Sequence, residues 1–117
     1  MRIYLAGAYS GTELGVADNI GIGLREAAAL TMAGFAVYCP WLDFFIAIQA
    51  GGTILVEDFQ ESSMSFLVQC DAVLVVENPR NENSKGLKRE IGVAFHKCIP
   101  IFHGRVELIE WAKVNGR

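Results

Sequence analysis

The sequence predicts an α/β domain: a parallel sheet of four to five strands in the order 2-1-3-4, covered by helices on both faces as a three-layer sandwich. Three observations predict it. Short apolar runs alternate with longer stretches of helical periodicity along the whole chain. The runs are unbroken rather than alternating, the pattern of strands buried on both faces of a parallel sheet. The connection from the second run to the third is long enough to carry the chain back across the first with a right-handed crossover, which makes strands one and three neighbours.

Arg2 to Ala6 is the first strand candidate, ended abruptly by Gly7-Ala8-Tyr9-Ser10-Gly11. A loop runs to Asp18, the expected N-cap of a helix whose apolar positions Ile20, Leu24, Ala27, Ala28 and Met32 repeat at helical spacing, with Gly34 as its stop. Phe35 to Cys39 is the second strand, closed by Pro40. From Trp41 to Gly52 the pattern fits an irregular apolar lid or a short helix. A helix from about Thr53 carries Ile54, Leu55, Phe59, Ser63, Phe66 and Leu67 towards Cys70, and Asp71, expected to cap a local turn, leads into the third strand, Ala72 to Val76. The polar loop Glu77 to Asn83 opens into a helix beginning near Lys85. Ile99 to Phe102 is the fourth strand and Val106 to Val114 the last helix. Residues 1–117 read as a single domain, with no repeat or linker.

In a sheet so wound, ligands bind beyond the carboxyl ends of the strands where the winding reverses. The loops expected to meet there are Gly7 to Ala17 and Glu77 to Gly86, and Glu90 stands one turn into the helix that follows. Leu87, Ile91, Ala94, Phe95 and Cys98 form the stripe expected to face the sheet, with Glu90 on its border. The helical row through Glu90 holds Gly86 and Ala94, both small, and Leu87 and Val93 offer it no cation. Two readings follow: an acid with open space over it at the ligand mouth, or a solvated glutamate helped by the helix dipole.

Composition narrows the classes. Hydrophobic residues at 52% and charged ones at 20% describe a globular chain. No apolar run is long enough for a membrane span, and the amino terminus begins directly with a strand-like run rather than a signal peptide, so no membrane partner and a cytoplasmic location are expected. Cys39, Cys70 and Cys98 are widely spaced beside apolar residues and read as reduced core thiols. With His96 and His103 forming no ligand pair, no metal site and no cofactor is expected. A net charge of -3 argues against a nucleic-acid partner, which needs clustered Lys and Arg. Lys85, Lys88 and Arg89 are the one basic cluster, suited to a small anion or to a solvated helix face.

Gly7, Gly11 and the backbone amides of Ser84, Lys85 and Gly86 suit a phosphate or sugar at a helix N-terminus. The glycines match neither the dinucleotide fingerprint nor a P-loop, and no nucleophile elbow is present. A lone carboxylate remains as the candidate for chemistry.

The opening Ile3-Tyr4-Leu5-Ala6-Gly7, the middle run Cys70-Asp71-Ala72-Val73-Leu74-Val75-Val76, and Ser84-x-Gly86-x-x-x-Glu90-Ile91-Gly92-x-Ala94 followed by Ile99-Pro100-Ile101 together resemble the nucleoside 2-deoxyribosyltransferase-like superfamily. The resemblance runs from Met1 to about Phe102. It implies a flavodoxin-like, Rossmann-like domain that cleaves the N-glycosidic bond of a small nucleoside or nucleotide, by hydrolysis or by transfer of the sugar to another base. It implies that Glu90 is the nucleophile, forming a glycosyl ester as in a retaining glycosidase, that Ser84 serves the sugar or 5'-phosphate, and that Gly7 to Gly11, with Tyr9 and Ser10, line the same pocket. A homodimer or larger homo-oligomer is implied as well, and the apolar content around Phe44 to Ile48 and Ile54 fits such a surface.

Two departures stand out. Where nucleotide-cleaving members carry a serine and an arginine in the first loop, this chain has Ala8 and Ser10, which leaves Lys85 as the replacement cation. Where the superfamily has an aspartate eight residues before Asp71, this chain has Ser63. Asp58 is then the expected catalytic acid, with Asp43 behind it as a substrate-site residue. Tyr9 either packs or orients Glu90. Trp41, Phe44 and Phe45 either stack on a base or form an interface. Trp111 belongs to the packing stripe of the last helix.

Overall fold

The computed structural model describes residues 1–9, 13–53 and 56–116. Four parallel strands, β1 (Arg2–Ala6), β2 (Ala36–Tyr38), β3 (Ala72–Val75) and β4 (Ile101–Phe102), form one sheet in the order β2-β1-β3-β4. The helices are α1 (Glu13–Met32), α2 (Asp43–Gln49), α3 (Val56–Leu67), α4 (Lys85–His96) and α5 (Arg105–Asn115), with short 3-10 turns at Pro40–Leu42 and Pro79–Asn83. The fold class is as predicted.

The continuous apolar runs are explained by burial on both faces. In β1, Ile3 and Leu5 pack with Ile20 and Leu30 of α1 and Leu108 of α5, whereas Tyr4 and Ala6 pack with Leu67 of α3 and with Leu87 and Ala94 of α4. β3 divides in the same way, Ala72 and Leu74 to the first layer and Val73 and Val75 to the second. This is the period-two alternation of a strand with both sides dry. The register sets Tyr4 opposite Val73 on one side and Tyr38 on the other.

Several boundaries differ from the sequence-based expectation. Helix α1 begins at Glu13, so Asp18 is an interior helical residue whose carboxylate takes a hydrogen bond from Arg80. Gly34 does end that helix, at φ +95°. The lid region is a short helix, closed by Gly51 and Gly52 at positive φ. Asp71 does not cap a local turn; its carboxylate accepts the Arg2 amide at 2.7 Å and ties the starts of β1 and β3 together. Ile54 and Leu55 lie outside the described residues.

The expected sheet-facing stripe of α4 is rotated. Leu87 and Ala94 are buried, but Phe95 is 80% exposed and Cys98 is exposed, and the third buried position of the helix is Glu90. Cys98 is therefore no core thiol. It occupies the left-handed position after the helix, at φ +57°, where glycine is usual. Cys39 is buried and Cys70 half-buried. No described helix is long and apolar enough to cross a membrane.

Candidate active site

Five elements meet on the α3/α4 side of the sheet. β1 supplies Tyr4, whose ring stacks on Tyr38 of β2 with centroids 5.4 Å apart, and Tyr38 stacks in turn on Phe66 of α3 at 4.8 Å. One turn before Phe66, α3 presents Ser63, a buried hydroxyl. α4 presents Glu90, only 8% exposed. The first residue of α2, Asp43, is half-buried, and the Ser63 hydroxyl lies close enough to favour its carboxylate.

Burial dominates the electrostatics. It pushes the Glu90 carboxyl up to about 7, against the opposing pull of the Tyr4 hydroxyl and the Gly7 amide, both of which favour the carboxylate. The Tyr4 phenol is raised far beyond its ordinary range, first by burial and then by the Glu90 charge beside it. Its hydroxyl has no well-formed hydrogen bond, although Glu90 and Ser63 both stand close enough to act on its ionisation. Asp43 is raised by burial and held back by Ser63. Its charge in turn raises Tyr9 and Tyr38, behind the larger effect of their own burial. A buried carboxyl near neutrality with a phenol against it is the kind of environment found where proton and nucleophile chemistry is done.

The two loops at the sheet's carboxyl edge are pinned by amide side chains. Asn19, fully buried in α1, donates to the Tyr9 carbonyl at 3.2 Å, and its Oδ1 accepts from Asn78 Nδ2 at 2.7 Å and from Arg80 at 3.3 Å. Asn81 accepts the Ala8 amide at 2.9 Å and donates to the Val76 carbonyl at 2.8 Å. Trp41 is wedged beneath. Its Nε1 donates to the Ala8 carbonyl at 3.0 Å, and a Cβ on Gly7 or Gly23 would come within 3.1 Å or 2.4 Å of its indole. Both glycines are there because the indole needs their space.

The residues singled out by sequence do not all come together. Glu90 is brought to the Gly7 amide, and Asp43 to Ser63. Ser84, Lys85 and Gly86 form the first turn of α4, with Ser84 as N-cap accepting the Leu87 amide at 3.1 Å. Lys85 and Gly86 are exposed, and a Cβ on Gly86 would touch nothing closer than the Ser84 hydroxyl at 4.0 Å, so there is free space over Gly86, whereas Glu90 one turn on is buried. Asp58 is exposed on α3, about 140° around the helix from Ser63 at the α-helical repeat. Ser10 and Gly11 lie outside the described residues.

The phenol against Glu90 belongs to Tyr4. Tyr9 packs on the α1 side of the sheet and feels Asp43 instead. Trp41, at 2% exposure, is core and not a surface for a base. Ala8 is buried and offers a ligand no side chain. Sequence reasoning missed Tyr4, Tyr38, Asn19, Asn78 and Asn81. A polar ring in an otherwise aliphatic strand and an asparagine inside an apolar helical stripe were the available signals.

Among the described residues no three His, Cys, Asp or Glu side chains gather as a metal site. A doubly wound parallel sheet in the order β2-β1-β3-β4, covered by helices, defines the class: a Rossmann-like α/β domain. Within that class, the chain belongs to the family described as Domain of unknown function (DUF4406), whose model matches residues 1–103. No curated protein matches the sequence.

Proposed function

We propose that the protein cleaves or transfers the N-glycosidic bond of a small nucleoside or nucleotide, as the resemblance to the nucleoside 2-deoxyribosyltransferase-like superfamily implies. The observation that carries the reading is Glu90: a buried carboxyl at about 7 on the fourth helix, at the position the superfamily uses for its nucleophile. A Glu90 oxygen attacks the anomeric carbon as the bond to the base nitrogen breaks, leaving a glycosyl ester. Water or a second base then attacks the same carbon and releases the carboxylate. The leaving base takes a proton from Asp43, which burial makes a weaker acid than an ordinary aspartic acid, whereas Asp58 is exposed. The Ser84 hydroxyl, the amides of the α4 N-terminus and Lys85 hold the sugar or its phosphate.

The test is incubation with ribo- and deoxyribonucleosides and their 5'-monophosphates, with and without free adenine, following bases and new nucleosides by chromatography. Base release or exchange that disappears in Glu90→Ala supports the reading. Unchanged turnover in that variant overturns it.

Ser63 in place of the usual acid, and the buried Ala8 in the first loop, favour a second reading: a nucleotide-binding module that has kept the pocket without the chemistry. It predicts thermal stabilisation by the same compounds with no base appearing. In either case the exposed Leu42, Phe45, Ile46 and Ile48 on and beside α2 form an apolar patch next to Asp43, consistent with a homo-oligomer whose interface borders the site. Sedimentation of the wild type against Phe45→Glu tests this, and a monomer in both removes it. Reduced thiols and a cytoplasmic location fit the same proposal.

A further inference from the structure

We propose that Asn81 is a positioning residue that opens the sheet at its switch point: its carboxamide stands between the Ala8 amide and the Val76 carbonyl and holds the carboxyl ends of β1 and β3 apart. The wedge stands on hydrogen bonds of the chain alone. Its use by a ligand rests on the reading of this crevice as the nucleoside site.

The ladder between the two strands shows what the carboxamide replaces. In register, Ala6 is the partner of Val75, and the Val76 amide donates to the Ala6 carbonyl at 2.7 Å. The bonds of a parallel ladder pass back and forth between the strands, so a residue whose amide donates to one partner accepts, through its carbonyl, from the residue two further along. The next bond would run from the Ala8 amide to the Val76 carbonyl. Instead the Ala8 amide donates to Asn81 Oδ1 at 2.9 Å, and Asn81 Nδ2 donates to the Val76 carbonyl at 2.8 Å. One side-chain amide takes the place of one ladder bond. The two backbone groups, which a direct bond would hold at about 2.9 Å, are separated by its width.

Ala8 and Val76 are both buried, and an unpaired backbone group is costly there. A carboxamide meets both needs from one position, with an acceptor for the N–H and a donor for the C=O. An ionised aspartate would lack the donor, and an aliphatic side chain would supply neither.

The wedge is anchored from outside the crevice. Asn81 lies in the Pro79–Asn83 turn, where its own amide donates to the Asn78 carbonyl at 3.0 Å and its carbonyl accepts the Ser84 amide at 3.1 Å. Asn78 is bonded to Asn19 of α1, and Ser84 is the N-cap of α4. On the other side of the peptide, the Ala8 carbonyl accepts from Trp41 Nε1, so Ala8 is gripped at both its amide and its carbonyl. The gap lies between the loop after β1 and the end of β3, where a doubly wound sheet takes its ligand.

The experiment reads the bonds themselves, by nitrogen-carbon scalar couplings across hydrogen bonds in the isotope-labelled full chain. In the wild type the Ala8 amide nitrogen is expected to couple to Asn81 Cγ, and Asn81 Nδ2 to the Val76 carbonyl carbon. In Asn81→Ala the Ala8 nitrogen is expected to couple directly to the Val76 carbonyl carbon, the strands having closed by one ladder bond. A direct Ala8 to Val76 coupling already present in the wild type overturns the proposal, and so does its absence from the variant. If Asn81→Ala does not fold, the two wild-type couplings decide alone, and the lack of either overturns the wedge.

A second arm tests its use. The rise in melting temperature that a mixture of ribo- and deoxyribonucleosides and their 5'-monophosphates gives the wild type is expected to fall by more than half in Asn81→Ala. An undiminished rise in the closed variant overturns the crevice as the ligand's place. No rise in the wild type counts against the nucleoside reading, while the couplings still decide the wedge.

Discussion

The Tyr4 phenol on the first strand stands against the Glu90 carboxylate on the fourth helix, both withdrawn from solvent. The two effects run in opposite directions: the charge on Glu90 makes the phenol harder to ionise, and the neutral phenol makes the carboxyl easier to ionise.

Tyr4→Phe should therefore raise the Glu90 pKa above its value of about 7 and carry the acid limb of kcat/KM upward with it. Because the hydroxyl has no well-formed hydrogen bond, the variant should lose less than about 1 kcal/mol of stability. A pH-rate profile and a denaturant titration check the two halves separately. A profile that stays in place would show that the phenol does not act on the carboxylate.

Glu90 makes stability depend on pH with a definite sign. Its folded value, about 7, lies above its ordinary 4.5, so the native state holds a proton that the unfolded chain releases. The contribution is fully present below 4.5 and is lost as pH rises through 7, on the order of 3 kcal/mol in all. Glu90→Gln should abolish that slope and be the more stable protein at pH 8, while being inactive. Urea midpoints between pH 4.5 and 8 read this directly, and parallel slopes for wild type and variant would refute it.

Gly23→Ala should cost about 1–3 kcal/mol, since the new methyl would meet the Trp41 ring at 2.4 Å and no flexible tip is there to yield. The displaced indole would also lose its bond to the Ala8 carbonyl. Trp41 emission in a Trp111→Phe background should shift to the red, and unaltered emission with wild-type stability would place the indole elsewhere.

Asn19→Leu should destabilise by about 1–3 kcal/mol, because it strands the buried Asn78 amide and frees the Tyr9 carbonyl. Asp18→Ala, by contrast, removes an ion pair to Arg80 whose partners are 42% and 52% exposed, and should change stability by less than about 1 kcal/mol. Thermal melts of the two variants side by side decide between a buried amide clamp and a surface charge as the link between the loops.

The sequence by itself determined the winding and the position of the acid. Unbroken apolar runs such as Ile3 to Ala6 and Ala72 to Val75 can be buried only between two helical layers, and the long path from Tyr38 to Ala72 leaves room for the crossover that puts strands one and three together. Glu90 was legible because it interrupts an apolar helical row with small residues above and below it. What surrounds Glu90 was decided only by tertiary structure. Helical periodicity locates a stripe to within about a residue's turn of 100°, so Phe95 and Glu90 were exchangeable until α4 was set against Tyr4 and α3. Strand alternation says that Tyr4 and Ile3 face opposite ways, but not which layer carries the acid. The meeting of Tyr4, Tyr38, Asp43 and Ser63 depends on register between strands and on one rotation of α3, and no local pattern records either.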